Sequence, residues 1–185
     1  ALATGETLTA KHILVATGGR PFVPDIPGAE LAVTSDAMFH LDALPKTAII
    51  VGGGYIASEF SCILNGLGVQ VSQIYRGAEI LRGFDKEARA HVVAGMQRAG
   101  VAVLRGLDVA RLERAGDQIA VHCTDGQVRM ADLVLYATGR KPNTAGLGLE
   151  ALGVKVKASG AVAVDGYSQT AVPSIYAVGD VTDRI

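Results

Sequence analysis

The sequence predicts an α/β fold, a parallel sheet with helices and an added antiparallel β-meander, and three observations carry that expectation. Short apolar runs ending in glycine turns recur four times, at Gly18 and Gly19, at Gly52, Gly53 and Gly54, at Gly139 and at Gly179. Between the second and third of these, apolar residues recur at three- and four-residue spacing over two stretches of helical length, each followed by another short apolar run. A later stretch alternates in polarity around turn residues, the mark of antiparallel strands with one solvated face. Glycine, at 23 of 185 residues, exceeds the usual share of about 7 %, and its clustering directly after apolar runs makes it turn-forming.

Taken in order, residues 11–18 read as a short buried strand entering a glycine turn. Pro21, Pro24 and Pro27 then forbid regular structure, a helical stretch is expected near residues 36–41, and Pro45 breaks the chain. A new domain begins with the strand at 47–51. The helix after it is expected over about residues 54–67 because Ile56, Phe60, Ile63, Leu64 and Leu67 share a face, and Gly66 and Gly68 end it. Residues 69–75 supply the second strand of a βαβ unit, parallel to the first by the right-handed crossover rule. A second helix, 86–99, carries Ala88, Val92, Val93 and Met96 inward, and a third strand follows at 101–104, so a doubly wound sheet is expected. Residues 109–114, 118–124 and 127–130 form the meander, turning at Ala115, Gly116 and Asp117 and at Asp125 and Gly126. The buried-strand pattern resumes at 133–137 and again at 174–178.

Composition limits the function. Lys plus Arg total 17 against 18 for Asp plus Glu, so a net charge of -1 offers no broad positive field to nucleic acid or anionic lipid. No apolar run approaches the roughly 20 residues that span a bilayer, and the basic-then-apolar layout of a signal peptide is missing, so a cytoplasmic location is expected. Cys62 and Cys123 form neither a disulfide framework nor a zinc spacing and read as packing thiols; His12, His40, His91 and His122 read as surface or satisfied structural imidazoles.

The residues Gly52, Gly53, Gly54, Tyr55, Ile56 and Ala57 fit a dinucleotide fingerprint, with Gly52 at the tight turn, Gly54 at the close phosphate approach and Ala57 at the third position. A pyrophosphate must sit against backbone N–H groups at a helix N-terminus, and a Cβ at Gly54 would block it. With strand, helix and second strand in place, the stretch is a Rossmann-like NAD(P)-binding element; the alternative is a glycine turn serving helix packing alone. An NAD enzyme usually places an acid at the end of the second strand. Here that strand ends in Tyr75 and Arg76, with Arg82 in the loop beyond, and two guanidiniums suit a 2′-phosphate. NADPH is therefore favoured, the alternative being that Arg76 and Arg82 are solvated charges, with Glu79 free to pair with either.

Gly-Gly-Gly-Tyr-Ile-Ala-Ser-Glu, Tyr-Arg and Leu-Arg-Gly-Phe-Asp at residues 52–85 resemble the glutathione reductase family, class I pyridine nucleotide-disulfide oxidoreductases, and the resemblance spans the chain. Ala16-Thr17-Gly18 and the run from Ala137 to Asn143 resemble the family's two ATG stretches, and residues 170–180 its second FAD signature. The resemblance implies that Arg76 and Arg82 hold the 2′-phosphate, that Tyr55 covers the flavin and swings aside for the nicotinamide, that Glu59 lies near the nicotinamide ring, and that Gly139 approaches NADPH. It also implies that Thr17, Gly18, Arg140 and Asp180 belong to the FAD site, Asp180 toward the ribityl chain. Residues 1–44 and 144–185 would be partial FAD-domain segments around an NADPH-binding domain at 45–143.

The family's earlier FAD fingerprint, redox cysteine pair and catalytic histidine have no counterparts in these residues, so no catalytic residue is assigned and the fragment alone is expected to be inactive with little FAD retained. The chemistry implied for the full-length protein is electron flow from NADPH through FAD and a redox disulfide to a small-molecule disulfide, in the first instance glutathione disulfide, by a homodimer. Mercuric and trypanothione reductases also use NADPH and stay open; Tyr75 and Arg76 disfavour the NAD-using dihydrolipoamide dehydrogenases. A non-enzymatic NADPH-binding module is the reading from a different class.

Overall fold

The computed structural model describes residues 4–183. Its strands and helices in chain order are β1 (Ile13–Val15), β2 (Gly19–Pro21), β3 (Val33–Thr34), β4 (Thr47–Val51), α1 (Tyr55–Gly66), β5 (Gln70–Tyr75), α2 (Lys86–Arg98) and β6 (Ala102–Arg105). There follow β7 (Val109–Ala115), β8 (Gln118–Cys123), β9 (Val128–Ala131), β10 (Leu133–Tyr136), β11 (Arg140–Pro142) and β12 (Ile175–Ala177). The chain packs as two units, one running from Pro21 to Gly139 and the other combining the residues up to Arg20 with those from Arg140 onward.

In the larger unit, β3, β10, β4, β5 and β6 form a parallel sheet in that order. Every residue of β10 and all but the first of β4 are buried, as expected of strands covered on both faces. Alternation along β4 sends its side chains to two different cores. Ile50 joins Val71, Leu135, Leu64 of α1 and Met96 of α2. Ile49 and Val51 join Ile74, Val134 and Tyr136 with Leu112, Ile119 and Val121 of the antiparallel β7-β8-β9 meander. Helices therefore cover one face and the meander the other, which corrects the doubly wound expectation of helices on both.

The helix faces also differ from the periodicity. On α1 the buried residues are Ala57, Ser58, Ser61 and Leu64, while Ile63 and Leu67 are 52 % and 58 % exposed. Small side chains let α1 lie close on the sheet, and the larger apolar ones fall outside that contact. On α2 only Met96 is fully buried; Val93 packs partly, and Ala88 and Val92 are exposed. Asp85 caps α2, its Oδ1 accepting from the N–H groups of Glu87 and Ala88, both at 3.0 Å. The stretch expected as a helix near 36–41 is a single 3-10 turn, Ala37–His40.

Residues 21–44 pack in the larger unit. Val33 and Thr34 pair with Leu135 and Tyr136, Val23, Ile26 and Leu31 reach the meander core, and Met38 and Leu41 reach the helix-side core. The divisions between units accordingly fall after Arg20 and after Gly139.

A polar node closes the sheet edge where β4 and β10 begin. The Thr47 N–H and hydroxyl donate to Asp132 Oδ2 at 2.8 and 3.0 Å, the Asp132 N–H donates to Thr47 Oγ1 at 3.0 Å, and Gln118 Nε2 donates to Asp132 Oδ1 at 2.9 Å. The Gln118 amide first, and then the Thr47 donors, hold the Asp132 carboxyl below its usual value. A depressed folded-state pKa means stability that is present above the unfolded value and lost as pH falls through the folded one. Acid unfolding of the wild type should therefore steepen below about pH 4, and Asp132→Asn should flatten that part of a denaturation-midpoint-against-pH curve; an unchanged curve would show that the node contributes nothing to acid sensitivity.

In the smaller unit β1 pairs in parallel with β12, Ile13 opposite Ile175 and Val15 opposite Ala177, and β2 pairs with β11. Val15, Leu149, Val154, Val162, Ile175, Ala177 and Val181 make its core. Of β1 only Val15 is buried, Ile13 and Leu14 being exposed, so the buried strand expected at 11–18 is buried on one side chain alone.

Candidate functional site

Parallel strands all present their carboxyl ends to one edge of a sheet, and that edge of the larger unit gathers the glycine turn, Arg76 and Gly139. Gly52 follows β4 with φ +150°, and a Cβ there would overlap the Ala137 carbonyl oxygen and sit 3.2 Å from the Ala57 methyl group. Its N–H donates to the Ile74 carbonyl at 2.9 Å. A Cβ at Gly53 would lie 2.5 Å from the Tyr75 ring, and the Gly53 carbonyl accepts from the Leu81 N–H at 2.6 Å. Gly54 stands at the N-cap of α1 in extended conformation, and a Cβ there would meet nothing within 4 Å. No side chain caps α1, in contrast to Asp85 on α2. The start of α1 thus combines free backbone donors with an open space that a methyl group would fill, which fits the close approach of a phosphate.

Ala57 is fully buried behind the turn, Ile56 is half-buried, and Tyr55 and Glu59 are exposed on α1. Gly139 is exposed with φ +130°, and its carbonyl accepts from the Phe22 N–H at 2.9 Å. The Ala137 N–H donates to the Val51 carbonyl at 2.8 Å, which keeps the start of this second stretch beside the glycine turn.

Arg76 and Arg82 are exposed, and among the described residues neither forms an ion pair. Glu79, which the sequence left free to pair with either, instead bonds Arg89 of α2 at 2.8 Å.

A group that sequence reasoning missed lies beneath the turn. Gln73 in the middle of β5 is fully buried, and its Nε2 donates to the Gly52 carbonyl at 2.9 Å and to Ser58 Oγ at 3.4 Å. Ser61 Oγ donates to Gln73 Oε1 at 3.3 Å and to the Ala57 carbonyl at 2.8 Å. The available signal was a glutamine set between Val71 and Ile74 in an apolar strand, opposite two serines one helical turn apart.

The smaller unit brings Thr17, Gly18, Arg140 and Asp180 together. Thr17 Oγ1 donates to the Asn143 carbonyl at 2.7 Å, Asn143 Nδ2 returns a bond to the Thr17 carbonyl at 3.1 Å, and the Asn143 N–H donates to the Gly18 carbonyl at 2.9 Å. Arg140 donates through Nη2 to the Gly19 carbonyl and through Nε to Asp180 Oδ2, the latter at 3.2 Å.

Cys123 is buried and burial pushes its thiol pKa up, whereas Cys62 is exposed on α1, so only one of the two is the packing thiol expected. His122 Nε2 lies 3.2 Å from Glu113 Oε2, and His12 meets Tyr176 edge to face at 5.9 Å. No described helix is long and apolar enough to cross a membrane.

The fold is shared with flavoprotein disulfide reductases of known structure. The HOCl-induced flavoprotein disulfide reductase RclA from Escherichia coli superposes with a TM-score of 0.89 at 30 % identity, over 94 % of this chain and 40 % of that one. LpdA from Mycobacterium tuberculosis gives 0.87 at 32 % identity, over 95 % and 39 %. The family model described as pyridine nucleotide-disulphide oxidoreductase matches residues 2–185, and the chain belongs to that family. Among curated relatives, a glutathione reductase of Burkholderia cepacia is 48 % identical over 98 % of this chain and 40 % of its own length. A trypanothione reductase of Leishmania donovani is 42 % identical over 97 % and 37 %. The chain thus spans about two fifths of the length of the relatives it matches.

Proposed function

We propose that the unit from Pro21 to Gly139 binds NADPH and that the whole protein is a flavoprotein disulfide reductase acting on glutathione disulfide. The observation that carries the cofactor reading is the pair of exposed arginines, Arg76 and Arg82, left without a carboxylate partner among the described residues, beyond the strand that adjoins an uncapped helix start. Gly52 and Gly53 make the turn, Gly54 leaves room for the pyrophosphate, and Ala57 lets α1 pack close behind it. Arg76 and Arg82 grip the 2′-phosphate through charge-assisted bonds, while Tyr55, Ile56, Glu59 and Gly139 serve the rest of the dinucleotide.

The cluster of Thr17, Gly18, Arg140 and Asp180 belongs to an FAD site, where the Arg140 contact holds Asp180 in place. When bound, the two cofactors supply hydride transfer from NADPH to FAD and electrons onward to a disulfide. Glutathione disulfide is supported by glutathione reductases at 46–48 % identity, and the 42 % identical trypanothione reductase supports a second reading with a related disulfide. A cytoplasmic homodimer completes the proposal.

Calorimetric titration of the chain with NADPH and NADH tests the cofactor half. NADPH should bind more tightly, and Arg76→Ala and Arg82→Ala should each weaken it by about tenfold or more, with little change for NADH. Equal affinities in the wild type would overturn the reading.

A further inference from the structure

Two arginines can serve a 2′-phosphate only while no protein carboxylate occupies them, and Glu79 lies three residues from each. Arg89 removes that competitor. Its side chain, 16 % exposed on α2, places Nη2 2.8 Å from Glu79 Oε2 and donates through Nε to the neighbouring Ile80 carbonyl at 2.9 Å. One guanidinium therefore holds both the acid and the backbone beside it.

The same loop is fastened from its other side. Ile80 is fully buried, and Leu81, with φ +57°, donates its N–H to the Gly53 carbonyl at 2.6 Å. Arg82 follows directly. Its backbone is thus set by two anchors, the Gly53 carbonyl on the glycine turn and Arg89 on α2, and its guanidinium is left to solvent. We infer that Arg89 is a positioning and specificity-determining residue for the proposed NADPH site, holding Glu79 away from Arg76 and Arg82 and fixing the loop that presents Arg82.

The inference rests on the NADPH reading, and the loop chemistry states how it differs from a packing role. A contact that only stabilised the fold would, when lost, weaken NADPH and NADH alike. A contact that guards the phosphate arginines weakens NADPH alone, because NADH carries nothing for Arg76 and Arg82 to hold. Lysine cannot replace Arg89 fully, since a single ammonium lacks the planar fork that reaches a carboxylate and a carbonyl together.

The test is titration of the full chain with NADPH and with NADH for the wild type, Arg89→Ala, Arg89→Lys, Glu79→Gln and the double variant Glu79→Gln/Arg89→Ala. In Arg89→Ala the NADPH affinity should fall about tenfold while that for NADH stays within about twofold, and Arg89→Lys should lie between. Removing the freed carboxylate should restore much of the loss, so the double variant should bind NADPH more tightly than Arg89→Ala, with Glu79→Gln alone close to wild type. Equal losses for the two nucleotides, or an unchanged NADPH affinity, would overturn the inference, as would a double variant no better than Arg89→Ala. A wild type without preference for NADPH would instead overturn the cofactor reading beneath it.

Discussion

Gly52→Ala is expected to abolish NADPH binding and to destabilise the unit by about 3–5 kcal/mol, the range reached when backbone strain and a core overlap combine. Alanine at φ +150° is strained by itself, and its methyl group would be driven into the Ala137 carbonyl. The turn can escape only by moving, which breaks the bond from the Gly52 N–H to Ile74 and the one from Gln73 to the Gly52 carbonyl. Gly54→Ala is the informative partner. Its backbone is extended and its Cβ would point into open space, so stability should stay within about 0.5 kcal/mol while NADPH affinity collapses. Denaturant midpoints together with nucleotide titrations separate the two. A Gly54→Ala protein that bound NADPH normally would show that the open space is no phosphate cradle; a Gly52→Ala protein of normal stability would show that the turn yields more easily than its contacts imply.

Much of the larger unit was legible because parallel strands buried on both faces must be written as short continuous apolar runs, and residues 47–51 and 133–136 are. The glycine turn was legible for a similar reason, since Gly52 answers to a backbone angle and a contact that only glycine satisfies. What periodicity missed depended on partners distant in sequence. Ile63 and Leu67 keep helical spacing yet lie off the contact, because Ala57, Ser61 and Leu64 are what the sheet admits at close range. Val33 and Thr34 make a strand only because β10 offers them a free edge. Placing the meander over one face required knowing that Leu112 and Val121 share one core with Val51 and Val134, a grouping with no local sequence mark. At the candidate site the exposed arginines announced themselves by type and position, but Arg89, on the next helix, did not, and so the partner of Glu79 stayed open in the sequence.

Gln73 offers the second large effect. Gln73→Ala should cost about 3–5 kcal/mol, because it opens a cavity in a fully buried position and strips the Gly52 carbonyl of a donor at once. Gln73→Leu isolates the polar part, and a loss of about 1–3 kcal/mol is expected from leaving the carbonyl and the Ser58 and Ser61 hydroxyls without their shared amide. The two serines retain acceptors on α1 itself, Gly54 for Ser58 at 3.2 Å and Ala57 for Ser61 at 2.8 Å, so the carbonyl of Gly52 bears most of the loss. Adding Ser58→Val and Ser61→Ala to Gln73→Leu removes the glutamine's two side-chain partners along with it, leaving only the Gly52 carbonyl unpaired, and removing both ends of a buried bond is less costly than removing one. The triple variant should therefore be more stable than the sum of its single changes predicts, measured by denaturant unfolding across the cycle. Strict additivity would mean that the glutamine and the serines do not act as one network.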